Sequence, residues 1–476
     1  MVGRVAWRWL GVVWLSLTAW AAPAPVELDG EALLKDVDLL EQAVRALHPG
    51  LYRYLSEEEL NHSLSQLRSE LARGASQTDT FLALARWSAQ LQCGHTYPNF
   101  WNQDEAVQAQ LFDQHLSLPF TFRLQQGQMV IDQLALADSG LQQGDRVQLI
   151  NQMPLTVVWS ALLPLMAADG ANQAARWQQL ELSGYGRYEP FDVYFPLLFG
   201  AEQYRLQLVD GRQVTVAGMS REDRQAQLAP QPEVWALSFP HPQTALLRLS
   251  SFTTWNFDFD WRAFLNRAFT EISQSDAEHL VLDIRGNGGG TTEVVEVLLR
   301  YLIQQPVQLT PWQQRLRFSS VPDTLLPHLS SWQDDWRQLG QQAEPGDDGY
   351  YILPPTLGPM LTPNPNRFAG RISLLVDGAN RSATLLLAQQ LKQWGRATLV
   401  GRTTGGNLRG INGGQILFLR LPNSGLELDL PLIGYFGPDT AENDGLAPDI
   451  RVAASMPGEA DGDLAAALAA TDEAGL

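Results

Sequence analysis

Two passages of the chain constrain its fold more than any others. The first, "HLVLDIRGNGGGTTEVVEVLLRYLI" (residues 279–303), is an apolar run that enters a loop with four glycines in five positions. It leaves that loop with apolar residues at helical spacing. The second, "RISLLVDGANRSATLLLAQQLKQW" (residues 371–394), repeats the plan with Ser382 at the turn. With "TALLRLSSF" before them and "ATLVG" after, strands alternate with helices over residues 234–452. That alternation predicts an α/β layer with parallel strands.

The glycine loop admits three readings. A dinucleotide site needs G-x-G-x-x-G, but Gly286 and Gly288 are followed by Thr291 where the third glycine should stand. A phosphate loop of the Walker type needs a closing Gly-Lys-Ser/Thr, and no lysine is there. Glycines also let backbone N–H groups converge on one point, as an oxyanion site requires, or simply make a tight strand–helix connection. Ser382 likewise has two readings. A hydroxyl at the carboxyl end of a strand, followed by the free helix-terminal N–H of Ala383, suits a nucleophile. Serine is also a common helix N-cap. The stretch Asn380-Arg381-Ser382-Ala383-Thr384 is not the G-x-S-x-G elbow of α/β hydrolases.

The rest of the chain divides by pattern. Leu33, Val37, Leu40, Val44 and Leu47 repeat as in a helix. Ser56 with Glu59 forms a capping-box signature before a second helix, and a third, over about 79–91, runs into "QCGHTY". From about residue 118 short strands and turns replace helices. "GQILFLRLPNSGLELDLPLIGYF" predicts a hairpin turning near Asn423-Ser424-Gly425. The expected organisation is a helical region at 26–115, a small β domain at 116–225, the α/β domain at 232–452 with an irregular insert at about 304–368, and a tail at 453–476. An insert of that length often forms a lid or binding loop.

The formal charge of −19 argues against nucleic acid and anionic membrane surfaces as partners. Arg4 and Arg8, the apolar "WLGVVWLSLTAW" and Ala19-Trp20-Ala21 read as a signal peptide over residues 1–21, hence a periplasmic or secreted protein with no membrane span after cleavage. The single cysteine, Cys93, cannot form an intramolecular disulfide. No H-x-x-x-H or C-x-x-C spacing occurs, so neither a metal nor a cofactor is expected.

"LVLDIRGNGGG", the stretch from "ISLLVDGANRS" to "GRTTGG", and "ENDGLAPDI" match, in order and spacing, the successive motifs of one family. The chain resembles the serine peptidases that comprise the C-terminal processing (tail-specific) peptidases and the tricorn protease core. "LQCGHTY" and "ALHPGLY" resemble segments of the tricorn-like, histidine-base branch. "GDRVQLINQMPL" is similar to a turn of the PDZ domain these peptidases carry. The resemblance implies a crotonase/ClpP-like α/β catalytic domain, with the helical region and a PDZ-like β domain beside it. It also implies a peptide or protein substrate, Ser382 as nucleophile, and an oxyanion hole from the N–H groups of Gly289 (Gly288 as the near alternative) and Ala383.

One branch of the family arms its serine with a lysine, but Asn407 stands at that position here. Of the two lysines in the chain, Lys392 lies ten residues along the helix from Ser382, about 15 Å away at 1.5 Å per residue. Lys35 belongs to the first helix pattern. The other branch implies a histidine base at His95 and an acid at Glu442. It places a serine before the histidine, where this chain has Gly94. Cys93 paired with His95 as a cysteine nucleophile is disfavoured, because residues two apart do not face one another on a helix. Three functions stand at this point: a serine peptidase, a catalytically inactive peptide- or ligand-binding protein on the same fold, and a nucleotide-dependent enzyme disfavoured by the two motif failures.

Overall fold

In the computed structural model, residues 27–470 are described, except 310–311, 333, 355–357, 359 and 439. The signal-peptide reading of residues 1–21 lies outside them. The α/β layer is a six-stranded sheet with strands β1 (Trp235–His241), β2 (Thr244–Leu249), β3 (His279–Asp283), β4 (Arg371–Val376), β5 (Thr398–Gly401) and β6 (Ile450–Arg451). Their order across the sheet is β6-β5-β4-β3-β2-β1, parallel throughout except for the antiparallel β1–β2 pair. All five residues of β3 are buried, so its apolar run follows from cover on both faces rather than from alternation.

Three helices of this layer, Trp261–Gln274, Thr292–Leu302 and Ala383–Gln393, pack with Leu280, Leu282, Leu374 and Leu399 in one hydrophobic core. On the opposite face, Val281, Leu375 and Val400 meet Ala467 of the helix Gly462–Ala469. That helix gives the expected tail a structural task. Arg285 bonds Asp283 at the end of β3, and it reaches Asp461 and Asp463 at the helix start.

The N-terminal region is built mainly on three helices, Gly30–Leu47, Glu57–Leu71 and Gln77–Gln90, with a short fourth at Glu105–Gln108. Leu33, Val37, Leu40, Val44 and Leu47 are all buried. Ser56 and Glu59 form the complete reciprocal capping box. Beyond it lies an antiparallel sheet of Phe120–Gln125, Gln128–Leu134, Arg146–Ile150, Gln203–Leu208 and Gln213–Ala217. A single hydrophobic core runs from the three helices through this sheet to the hairpin Gly410–Arg420/Glu427–Phe436. The Asn423 and Ser424 N–H groups at its tip donate to the Asp36 carboxylate of the first helix at 3.0 and 2.7 Å. Short strands of the insert, Gln313–Leu316 and Leu329–Ser330, pair with the two edges of this hairpin and tie the insert to it. Among the described residues, no helix is long and apolar enough to cross a membrane.

Candidate active site

The two strand–turn–helix passages lie side by side because β3 and β4 are parallel neighbours in register, Asp283 beside Leu375. Their turns are then joined by buried side chains. The Asn380 Nδ2 donates to the carbonyls of Ile284 (2.6 Å) and Asn287 (3.1 Å). The Thr384 hydroxyl donates to the Asn287 carbonyl at 3.1 Å, and the Gly286 N–H donates to the Asp377 carboxylate at 3.1 Å. Asn287, Asn380 and Thr384 are fully buried, so these bonds replace water that cannot reach them. Such satisfied buried contacts fix the separation of the two turns.

Ser382 stands at the second turn with φ 54° and ψ −124°, a conformation that side-chain-bearing residues rarely adopt. Its hydroxyl makes no capping bond to the helix it precedes, which removes the N-cap reading. No acceptor is bonded to the Ala383 N–H among the described residues. Opposite it, Gly289 has φ 104°. A Cβ there would lie 3.0 Å from the Ser382 Cβ and 3.1 Å from the Ala383 nitrogen. The glycine loop is therefore bare where the second turn presses against it.

The expected donor, however, is already engaged. The Gly289 N–H donates to the Asn287 Oδ1 at 2.9 Å. The N–H of exposed Gly288 has no such partner among the described residues. This turn-forming side-chain bond, which sequence spacing does not show, shifts the candidate donor from Gly289 to its neighbour.

His95 comes from the loop after the third N-terminal helix. Its ring lies against Gly413 of the long hairpin, where a Cβ would stand 3.0 Å from Cε1 and 3.1 Å from Nε2. Gly94 and Arg381, the residues preceding His95 and Ser382, line one small cavity with Tyr97, Phe100, Leu165 and Tyr194. Burial lowers the pKa of His95 from the ordinary histidine value. The Arg381 charge lowers it too, and the Asp169 charge opposes both. A histidine held neutral at pH 7 has a lone pair available to accept a proton.

Asp169 was not foreseen. It is almost fully buried, and its Oδ1 accepts from the Gly94 N–H at 2.9 Å. Its Oδ2 and the Nδ1 of His95 are both buried without a partner. A Cβ on Gly94 would stand 3.0 Å from that Oδ2, so the carboxylate occupies the side of Gly94 where a serine side chain would project. The segment is anchored by the Asn407 Nδ2, which donates to the Asp169 carbonyl at 3.2 Å and to the Asn443 Oδ1 at 2.9 Å. Asn407, which stands at the expected lysine position, thus holds the Asp169 segment in place.

Glu442 is exposed and has no hydrogen bond or ion pair among the described residues, and the structure does not join it to His95. It adjoins Asn443, whose side chain helps hold the Asp169 segment. Lys392 pairs with Asp449 at 2.8 Å and is occupied there. Cys93 is fully buried, and burial with the Asp169 charge pushes its thiol up to about 11, which removes it as a thiolate nucleophile.

A strained serine at a strand–helix turn, facing a glycine loop with a free N–H beside it, is an arrangement suited to acyl transfer. Residues 243–452 match the model of Peptidase family S41, a family of serine peptidases. Its chemistry is the hydrolysis of peptide bonds, and its substrates are peptides or proteins. No curated protein matches the chain in sequence. Among solved structures, mature CPAF complexed with lactacystin aligns over 90% of this chain and 94% of its own, with TM-score 0.62 and 16% identity. A CPAF mutant aligns over 90% and 93%, with TM-score 0.63 and 16% identity. At that identity the likeness concerns the fold.

Proposed function

We propose that this chain hydrolyses peptide bonds through an acyl-enzyme on Ser382, with His95 as general base. The observation that carries the reading is the backbone of Ser382, held at φ 54° with no capping bond to account for it. Strain of this kind costs on the order of 1–3 kcal/mol and persists where the surrounding structure enforces it.

In the proposed reaction, the neutral His95 imidazole takes the Ser382 hydroxyl proton as Oγ bonds to the substrate carbonyl carbon. The Ala383 and Gly288 N–H groups hold the resulting oxyanion. His95 then returns the proton to the departing amine as the C–N bond breaks. Water repeats the sequence on the acyl-enzyme and restores Ser382. Asp169, rather than Glu442, supplies the negative charge that favours the imidazolium, acting from the place left open by Gly94. We also propose export from the cytoplasm, supported by Arg4, Arg8, the apolar run and the A-x-A site of the first residues.

A fluorophosphonate probe tests the reading. The expected result is covalent labelling of the folded wild-type chain that disappears in Ser382→Ala. Absence of labelling and of peptide cleavage in the folded protein would favour the peptide-binding alternative.

A further inference from the structure

We propose that Arg381 forms a carboxylate-binding subsite beside the nucleophile and reads a carboxylate on the substrate chain next to the scissile bond. The proposal rests on the peptidase reading of Ser382 and adds a substrate preference to it. The backbone of Arg381 is fixed, because its carbonyl accepts from the Thr384 N–H (3.2 Å) and the Thr384 hydroxyl (2.8 Å) at the start of the helix. Its side chain leaves that turn and lines the cavity with Gly94, Tyr97, Phe100, Leu165 and Tyr194. The Nε also passes the glycine loop, 3.8 Å from where a Cβ on Gly288 would stand. The side chain therefore passes the candidate oxyanion site and lies near enough to His95 for its charge to act there.

The guanidinium has no hydrogen bond, ion pair or ring contact among the described residues. Other half-buried or buried arginines of this chain are engaged: Arg285 by Asp283, Asp461 and Asp463, Arg402 by Asp463, and Arg224 by Asp192. Neither carboxylate near the site pairs with the Arg381 guanidinium, although Asp169 keeps one oxygen without a partner. Asp377 accepts from Gly286 and Ala379, and Asp169 accepts from Gly94 with its charge acting on His95. An acidic chain, with Asp+Glu 52 against Lys+Arg 33, has thus left one cation unpaired next to its candidate nucleophile. A planar guanidinium beside a small cavity that also carries Gln179 is suited to a bidentate bond with a carboxylate. That carboxylate comes either from an acidic side chain or from the free C-terminus of the substrate. Its arrival would also offset the charge that lowers the pKa of His95.

The experiment measures binding in a Ser382→Ala background, so that it does not depend on turnover. Peptides selected from a library are compared as matched pairs, Asp or Glu against Asn or Gln at each position, and free against amidated C-terminus. The expected result is about 10- to 100-fold tighter binding of the carboxylate member, the range of a charge-assisted hydrogen bond. The ratio should fall to about one in the Arg381→Gln, Ser382→Ala double variant and be intermediate with Arg381→Lys. Because each ratio is taken within one variant, a general loss of folded protein cancels. The position at which the preference appears identifies the source of the carboxylate. No charge preference, or a preference that survives Arg381→Gln, overturns the proposal. Wild-type labelling and cleavage report on the peptidase reading separately: binding preference without labelling retains the subsite and rejects hydrolysis.

Discussion

The residues preceding Ser382 and His95 line one cavity, and the two segments are of opposite construction. Ser382 follows a buried parallel strand, and its geometry is a property of its own backbone, with φ 54° enforced by turns bonded through Asn287, Asn380 and Thr384. His95 sits in an irregular loop and has no positive φ itself, although Gln92 three residues earlier has φ 53°. Its ring is positioned by Gly413 on the hairpin, and its charge environment by Asp169 and Arg381. One half of the site is backbone strain clamped by buried bonds between two adjacent turns, the other a ring placed by contacts from separate parts of the chain. The difference teaches that the nucleophile half should resist changes elsewhere in the chain, whereas the base half should fail when any of several distant residues changes.

The most severe break in the comparison is Ser382→Ala, expected to reduce kcat by about a million-fold, as in other serine peptidases. Ser382→Gly should be equally inactive, yet more stable than Ser382→Ala by about 1 kcal/mol, because glycine adopts positive φ without strain. Thermal or denaturant unfolding of the two variants checks this. Equal stabilities would mean that the strain at this turn is not energetically real.

The next largest effect falls on the base half. Asp169→Asn should lower kcat by about 10²- to 10⁴-fold with little change in KM, by comparison with loss of the acid in a serine triad. The pH profile separates electrostatics from folding damage. With His95 as the proposed base, activity requires the neutral imidazole, so it is expected above the pKa of His95 and lost as pH falls through it. Because burial lowers that pKa, the acid limb of kcat/KM should lie below the ordinary value of about 6.5. Removing the Asp169 charge removes an influence that raises the pKa and should move the limb to lower pH. Arg381→Gln removes one that lowers it and should move the limb up. Limbs that do not move in these opposite directions would sever both residues from His95.

Gly413→Ala probes the ring's seat. The added Cβ would stand 3.0 Å from the imidazole, which must give way by a few tenths of an ångström. A loss of about tenfold in kcat is expected, in line with the sensitivity of catalysis to misplacement, with the fold intact by circular dichroism. Unchanged kcat would show that the ring is free to move and that the base half is less exacting than the contrast implies.

The same contrast explains what could be read from the sequence. Apolar runs, glycines and a serine at a strand–helix boundary are local signals, and they located the α/β layer and the turn at Ser382. Asp169 carried no local signal: "MAADGANQ" looks like any polar turn, and its importance comes from folding back onto Gly94, 75 residues earlier. The shift from Gly289 to Gly288 has the same origin, since the Asn287 side chain reaches an N–H two residues on. The family motif pointed to Glu442 because motifs record positions, whereas the acid's effect depends on where a carboxylate is buried.

Glu442→Gln is therefore the mildest and the most discriminating substitution. Glu442 is exposed and unbonded among the described residues, so its charge is largely screened by solvent. The expected change in kcat/KM is within about twofold, with no movement of the acid limb. Asn443→Ala in the adjacent position removes the acceptor for the Asn407 Nδ2, and so loosens the segment that carries Asp169. Its effect should exceed that of Glu442→Gln although it removes no charge. A large loss in Glu442→Gln with a pH-profile shift, and none in Asp169→Asn, would return the acid's role to Glu442. The base half would then need a rearrangement that brings that surface carboxylate to His95.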